Sequence, residues 1–130
     1  MTQNILIGED NQFTVQQYAR ILEKNGYLVT ITRDGDECVK KYTEALIENE
    51  NTGQSNPFDV VIMDNNMPKK SGAKAAQEIL EKQPNQRIIF ASAYDIESLQ
   101  NTQGFIKETV EILQKPFSLN SLITKIRNRK

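Results

Sequence analysis

The chain has no histidine and only one cysteine, and each scarcity excludes a class of chemistry. Without histidine there is no histidine-based catalytic triad, no histidine metal ligand and no phosphohistidine that could act as a donor. The single cysteine, Cys38, excludes an internal disulfide framework and is typical of a reducing compartment. Basic residues number 16 and acidic residues 17, so the charge is nearly balanced and nothing indicates nucleic-acid binding.

Long apolar runs are also missing. No stretch approaches the roughly 18 apolar residues of a membrane-spanning helix, and no charged-then-apolar leader begins the chain. We therefore expect a cytoplasmic protein without a membrane partner. A length of 130 residues fits one domain over 1–130 that can bury a core.

Short apolar runs alternate with amphipathic stretches along the chain. The runs predict strands at Asn4–Gly8, Tyr27–Thr32, Val60–Met63, Ile88–Ala91 and Val110–Leu113. The amphipathic stretches predict helices at Phe13–Asn25, Asp36–Ile47, Gly72–Lys82 and Leu119–Arg129. In the first helix the inward face holds Val15, Tyr18, Ala19 and Leu22. A further helix after Asp95 is weakly patterned because Gly104 interrupts it, and Glu48–Asn56 has no apolar side chain and predicts a loop.

The composition of the strands predicts their order in the sheet. The first, third and fourth are unbroken apolar runs, as expected where helices cover both faces. The second carries Thr30 and Thr32 and the fifth carries Glu111, which is typical of edge strands. With right-handed crossovers this pattern favours an α/β, flavodoxin-like doubly wound parallel sheet in the order 2-1-3-4-5.

Polar side chains mark the ends of four of these strands. They are Glu9 and Asp10, Asp64, Ser92 and Lys115. Taken singly, each has an ordinary explanation as a helix cap, a turn residue or a solvated lysine. In a parallel sheet, however, all four strand ends meet at the edge where ligands bind.

Together these side chains predict a pocket with a defined chemistry, in which we expect Glu9 and Asp10 to be exposed and acidic. The carboxylates suit Mg²⁺, which prefers oxygen ligands. A hydroxyl and an ammonium group suit phosphoryl oxygens. A carboxylate between the two, Asp64, can act as a nucleophile and form an aspartyl phosphate.

The chain resembles response-regulator receiver domains of two-component and phosphorelay signalling over nearly its full length. The resemblance lies in Glu9-Asp10, Gly26-Tyr27, Asp34-Gly35, Asp64 with Met67-Pro68 and Gly72, Ser92, and Lys115-Pro116-Phe117. It implies a switch that catalyses only its own phosphorylation and dephosphorylation. Its phosphodonor would be a histidine kinase or a phosphotransfer protein, and its output would pass to a target protein by contact.

The same resemblance assigns roles to individual residues. It implies that Asp64 is the phosphoacceptor, that the Ser92 hydroxyl follows the phosphoryl group, and that Lys115 pairs with the phosphoryl oxygens. The implied Mg²⁺ ligands are Glu9 (directly or through water), Asp10, Asp64 and the backbone carbonyl of Asn66. A cis peptide bond between Lys115 and Pro116 is implied as well.

Three features depart from the family's pattern. Ile112 stands where the family often has an aromatic switch residue, which favours a readout through backbone or packing changes. The stretch before the third strand is longer than usual, and the fourth helix lacks the usual small residues. The chain is either a stand-alone regulator or a receiver taken from a longer protein.

Other functions remain to be weighed against this one. The main alternative is a degenerate receiver that binds partners without being phosphorylated. A haloacid-dehalogenase-type phosphatase requires a second aspartate where Asn66 stands. A flavodoxin requires a phosphate loop rich in serine and threonine, and the acidic Glu9-Asp10 would repel phosphate there.

Overall fold

Alternating strands and helices follow one another along the chain. The computed structural model describes residues 3–50, 56–65, 67–92 and 110–128. In chain order these contain β1 (Asn4–Gly8), α1 (Gln12–Lys24), β2 (Leu28–Thr32), α2 (Gly35–Asn49), β3 (Val60–Asp64), α3 (Gly72–Lys82), β4 (Ile88–Ser92), β5 (Val110–Gln114) and α4 (Leu119–Arg127). Within these ranges no helix combines the length and apolar character needed to cross a membrane.

The strands form one parallel sheet in the order β2-β1-β3-β4-β5, which confirms the predicted topology. All five residues of β3 and all five of β4 are buried, as expected of strands covered on both faces. The register pairs Gly8 with Met63 and Asp64 with Ala91. The carboxyl ends of β1, β3 and β4 therefore lie side by side.

Two apolar layers enclose the sheet, because alternate strand residues point to opposite faces. Leu6, Val61, Met63, Ile88 and Phe90 pack with residues of α2 and α3 on one face. Ile5, Ile7, Val60, Ile62 and Ile89 pack with residues of α1 and α4 on the other. Burial of these aliphatic side chains is the main favourable contribution to folding.

Several element ends differ from the predicted ones by one or two residues. Asn11, not the acid pair, caps α1, since its side chain accepts a hydrogen bond of 2.9 Å from the Thr14 amide. The explanation of the acid pair as a helix cap is therefore wrong. The second helix continues to Asn49, so the predicted loop at Glu48–Asn56 begins too early, and positions 51–55 lie outside the described residues. The last helix ends at Arg127 rather than at residue 129.

The edge strand β2 has an unexpected burial pattern. Leu28 is 60% exposed and Ile31 is 37% exposed, whereas Thr32 is fully buried. A buried hydroxyl requires a hydrogen-bond partner, and Thr32 Oγ1 donates one of 2.8 Å to the carbonyl of Ile7. Position at the sheet edge and local hydrogen bonding thus outweigh hydrophobicity in this strand.

Arg87 connects three elements at the end of the sheet opposite the strand ends that carry the acids. Its Nε and Nη2 donate to the two carboxylate oxygens of Glu111 at 2.6 and 3.0 Å. Nη1 donates to the carbonyl of Ile126, and Nη2 also reaches the carbonyls of Lys125 and of Asn128, the residue directly after α4. The charge of Glu111 predicted an edge strand, and β5 does lie at the edge of the sheet. The Glu111 side chain is nevertheless largely buried, and it is paired with Arg87.

We expect Arg87→Met to lower the free energy of unfolding by about 2 to 3 kcal/mol, because it removes the guanidinium that donates to Glu111 and to three carbonyls at the end of α4. Urea unfolding followed by circular dichroism measures this change. Arg87→Lys keeps the charge but not the two-pronged geometry, so it should recover only part of the loss. An unchanged midpoint in Arg87→Met would contradict this account of the contact.

Candidate functional site

The carboxyl edge of the sheet brings together the side chains singled out from the sequence. Asp64 is the last residue of β3 and Ser92 the last residue of β4. Glu9 and Asp10 directly follow β1, and Lys115 directly follows β5. Parallel pairing places these ends at one edge, so residues up to 106 positions apart in sequence become neighbours.

An ion pair lies at the centre of this edge. Lys115 Nζ is 2.8 Å from Asp64 Oδ1, where it donates a hydrogen bond, and 3.8 Å from Glu9 Oε1. The side chain of Asp64 is only 8% exposed, whereas that of Lys115 is 34% exposed. The cation thus offsets part of the electrostatic cost of burying two carboxylates.

Glu9 is more deeply buried than the sequence led us to expect. Its side chain is 3% exposed, so the prediction of an exposed acidic pocket is correct for Asp10 and wrong for Glu9. Oε2 accepts a hydrogen bond of 3.1 Å from the Asn11 amide, while Oε1 is buried without a hydrogen-bond donor among the described residues. Burial raises the pKa of Glu9 above 4.5, the neighbouring charge of Asp64 raises it further, and the Asn11 amide opposes this rise.

The donor set fits a hard divalent cation. Carboxylate oxygens of Glu9, Asp10 and Asp64 lie within 4.8 Å of one another. Oε1 of Glu9 is buried and accepts no hydrogen bond from the described residues, so a bound cation would give it a partner. Asp10 is exposed, which leaves room for water ligands on the ion. The fourth predicted ligand, the carbonyl of Asn66, lies outside the described residues.

Ser92 and Lys115 are connected through their backbones. Ser92 is 2% exposed, and its carbonyl accepts a hydrogen bond of 2.6 Å from the Lys115 amide. Ser92 also pairs with Gln114, which continues the sheet up to the site. The peptide bond between Lys115 and Pro116 is cis, as expected. The predicted hydroxyl and amine positions thus lie on adjacent strand ends, next to Asp64.

Asn65 holds the loop that follows Asp64, a role that the sequence analysis missed. The residue is buried, its carbonyl accepts from the Gly72 amide at 3.0 Å, and its Oδ1 accepts from the Ala73 amide at 3.2 Å. A Cβ on Gly72 would collide with the carbonyl oxygen of Asp64, so only glycine permits this approach. The pattern in the sequence that could have indicated this contact is Asn65 followed, seven residues later, by Gly72 at the start of a helix.

Tyr18 lies near the acids as well, although the sequence indicated only an inward-facing helix residue. Its ring stacks on that of Phe117 with centroids 6.1 Å apart and an interplanar angle of 22°. Burial, together with the charges of Glu9 and Asp64, strongly raises the pKa of the Tyr18 phenol. This stack packs α1 against the segment that carries Lys115.

Comparison with known proteins gives one family. A family model described as the response regulator receiver domain matches residues 5–127. Response regulator RR06 of Streptococcus pneumoniae is 31% identical over 124 residues, which are 95% of this chain and 51% of that protein. Chemotaxis protein CheY of Thermotoga maritima is 35% identical over 118 residues, which are 90% of this chain and 84% of that protein. The chain therefore spans about half the length of the first relative and most of the second.

The fold has solved counterparts. One chain of the crystal structure of the CheX–CheY–BeF3–Mg²⁺ complex from Borrelia burgdorferi matches with a TM-score of 0.76 and 28% identity. The match covers 95% of this chain and 86% of that one. A chemotaxis protein CheY4 of Vibrio cholerae, at 22% identity and a TM-score of 0.79, supports the same fold.

We expect Glu9→Gln to raise the free energy of unfolding at neutral pH in metal-free buffer. The folded protein holds a proton on Glu9 at pH values where the unfolded chain has released it, because the folded pKa lies above 4.5. Stability of the wild type is therefore lost as pH rises from about 4.5 through the folded pKa, and Glu9→Gln removes this loss.

Chemical unfolding of both proteins at several pH values between about 4 and 8 measures the difference in their free energies of unfolding. Asp10→Asn is the matched control, since it removes an adjacent but exposed carboxylate and keeps the buried one. If the free energy of unfolding depends on pH in the same way in the wild type and in Glu9→Gln, ionisation of Glu9 does not destabilise the folded protein and the prediction is wrong.

Proposed function

We infer the function from the fact that the chain belongs to the family of response regulator receiver domains, which are signalling switches of two-component systems rather than conventional enzymes. We propose that residues 1–130 form one receiver unit that accepts a phosphoryl group on Asp64. The donor is a histidine kinase or a phosphotransfer protein, and the reaction depends on Mg²⁺. The phosphorylated form then signals by protein–protein contact.

The observation that carries this proposal is the placement of the Asp64 carboxylate in contact with a cation and close to two other acids. Lys115 Nζ contacts Asp64 Oδ1 at 2.8 Å, and oxygens of Glu9 and Asp10 lie within 4.8 Å of Asp64 and of each other. The nucleophile thus has beside it an ammonium group suited to phosphoryl oxygens and carboxylates suited to a metal ion.

The roles of the side chains follow from this placement. A carboxylate oxygen of Asp64 attacks the phosphorus of the donor, and the bond from phosphorus to the donor's nitrogen breaks as the new bond to oxygen forms. Lys115 leaves its contact with Asp64 and pairs with the transferred phosphoryl oxygens. Glu9, Asp10 and Asp64 would hold Mg²⁺, which when bound neutralises the carboxylates and the incoming phosphate.

The phosphohistidine of the donor lies outside these 130 residues, because they contain no histidine. Dephosphorylation by water returns Asp64 to its starting state, and the chain catalyses these two steps on itself alone. A phosphorylation-independent interaction module remains the alternative, and the labelling experiment below separates the two.

The switch follows from the added charge. An acyl phosphate on Asp64 adds roughly one to two negative charges beside Ser92 and Lys115. Because the Lys115 amide is bonded to the Ser92 carbonyl, movement of either residue is transmitted to the other. Only contacts that differ between the two states can shift their populations. We propose that the output surface consists of β5 and α4 together with the helix predicted after Asp95, which lies outside the described residues.

We expect incubation with acetyl phosphate and Mg²⁺ to add one phosphoryl group to the wild type, measured by intact-protein mass spectrometry. Asp64→Asn should abolish the addition, because the amide is a poor nucleophile. Omission of Mg²⁺ should reduce it strongly, since three carboxylates then repel the donor.

The matched control for this experiment is Asp36→Asn, which changes an exposed aspartate near the start of α2 and should leave labelling intact. Persistent labelling of Asp64→Asn would refute the assignment of the phosphoacceptor. A wild type that takes no label while retaining Mg²⁺ binding would favour the interaction module.

We expect a beryllofluoride mimic of the phosphoryl group to change backbone amide signals mainly within residues 92–118. The reason is that Ser92 and Lys115 lie at the base of the proposed output surface. Two-dimensional NMR with and without the mimic measures the pattern. Changes centred on α1, or on residues 48–56, would place the output elsewhere.

A further inference from the structure

Thr32 holds the end of β1 from both sides of Gly8. Its hydroxyl donates a hydrogen bond of 2.8 Å to the carbonyl of Ile7, and its own carbonyl accepts one of 3.1 Å from the amide of Glu9. Thr32 pairs with Gly8 in the sheet register and is fully buried. Thr32, in the neighbouring strand, thus fixes the backbone at Ile7 and at Glu9, the first of the two acids.

The side-chain bond is not a requirement of strand pairing. A valine would fill nearly the same volume in this buried position and would keep the backbone pairing. Burying a hydroxyl is unfavourable unless it is hydrogen-bonded, so the Thr32 hydroxyl is stable here because it has the Ile7 carbonyl as partner. The bond therefore adds a constraint at the strand end beyond those that the sheet supplies.

Glu9 depends on such a constraint more than an exposed acid would. Its carboxylate is anchored by the Asn11 amide at 3.1 Å and by Lys115 at 3.8 Å, and its Oε1 has no hydrogen-bond donor among the described residues. With so few contacts at the carboxylate, the backbone at Glu9 largely determines where its oxygens lie relative to those of Asp10 and Asp64.

We propose that Thr32 is a positioning residue for the cation site, and that its hydroxyl holds the turn at Glu9 and Asp10 in the geometry that binds a divalent ion. The inference rests on the proposed function insofar as that function includes Mg²⁺ binding by these acids. It adds a residue of β2 whose hydrogen bonds go to the backbone of Ile7 and Glu9 rather than to a carboxylate of the site.

The test compares Thr32→Val, which removes the hydroxyl, with Thr32→Ser, which keeps it. Thr30→Val is the matched control, because Thr30 lies in the same strand but pairs with Leu6 rather than with the end of β1. Mg²⁺ affinity is measured by NMR titration of the amides of residues 8–11, 64–65 and 115. Amide hydrogen exchange of Glu9 is measured in metal-free buffer.

We expect Thr32→Val to weaken Mg²⁺ binding roughly three- to tenfold. The lower figure corresponds to the loss of one hydrogen bond, and the higher to the loss of a contact that orients a metal ligand. Thr32→Ser should stay within about twofold of the wild type, since its hydroxyl can make the same bond. The Glu9 amide should exchange faster in Thr32→Val relative to the Leu6 amide of the same variant. Thr30→Val should change neither quantity.

The outcomes separate this inference from the proposed function. If the wild type binds Mg²⁺ and Thr32→Val binds it equally well, or if Thr32→Ser is as weak as Thr32→Val, the positioning role of the hydroxyl is refuted and the metal site stands. If the wild type shows no Mg²⁺-dependent shifts at these amides, the proposed metal site fails and the inference fails with it, whatever the exchange data show. Should Thr32→Val not fold, Thr32→Ala replaces it, with the same expectations.

Discussion

The ion pair between Lys115 and Asp64 is the interaction on which the site depends. Three carboxylates meet at one edge of the sheet, and two of them, Glu9 and Asp64, are buried. Burial of like charges side by side is strongly unfavourable without a counter-charge. Among the described residues, Lys115 is the cation that contacts both buried acids, and it reaches them because β5 ends beside β4. One lysine does not balance three carboxylates, and Oε1 of Glu9 accepts no hydrogen bond from the described residues. Such a site is suited to bind a cation.

The rest of the molecule holds these few side chains in place. Every residue of β3 and β4 is buried, and the register aligns the carboxyl ends of the central strands. The site is then fixed by polar contacts of the segments that leave the sheet. Asn65 and Gly72 bring the backbone after β3 close to Asp64, and the Ser92 carbonyl binds the amide of Lys115. At the opposite end Arg87 ties β5 to α4, so the strand that leads to Lys115 is anchored at both ends.

Much of this arrangement was predictable from the sequence because its patterns are local. Short apolar runs and helical periodicity identified the elements, and the contrast between uniformly apolar and mixed strands indicated which lie at the edges. The polar residues that end β1, β3 and β4 were recognisable because a charge or hydroxyl directly after an apolar run is conspicuous. The cap of α1 was not predictable in the same way, since Asp10 and Asn11 are adjacent and have similar N-cap propensities; the structure gives the cap to Asn11.

Residue types and their order along the chain determined the fold class, the strand order and the set of polar side chains at the carboxyl edge of the sheet. Only the tertiary structure decided that Glu9 is buried while Asp10 is exposed, and that Lys115 contacts both Asp64 and Glu9. It also decided the contacts of Thr32 with Ile7, of Tyr18 with Phe117 and of Asn65 with Ala73. The physical reason is that periodicity and composition report on which face of an element is apolar. Burial of one particular carboxylate and the distances between groups depend on how segments distant in sequence pack against one another.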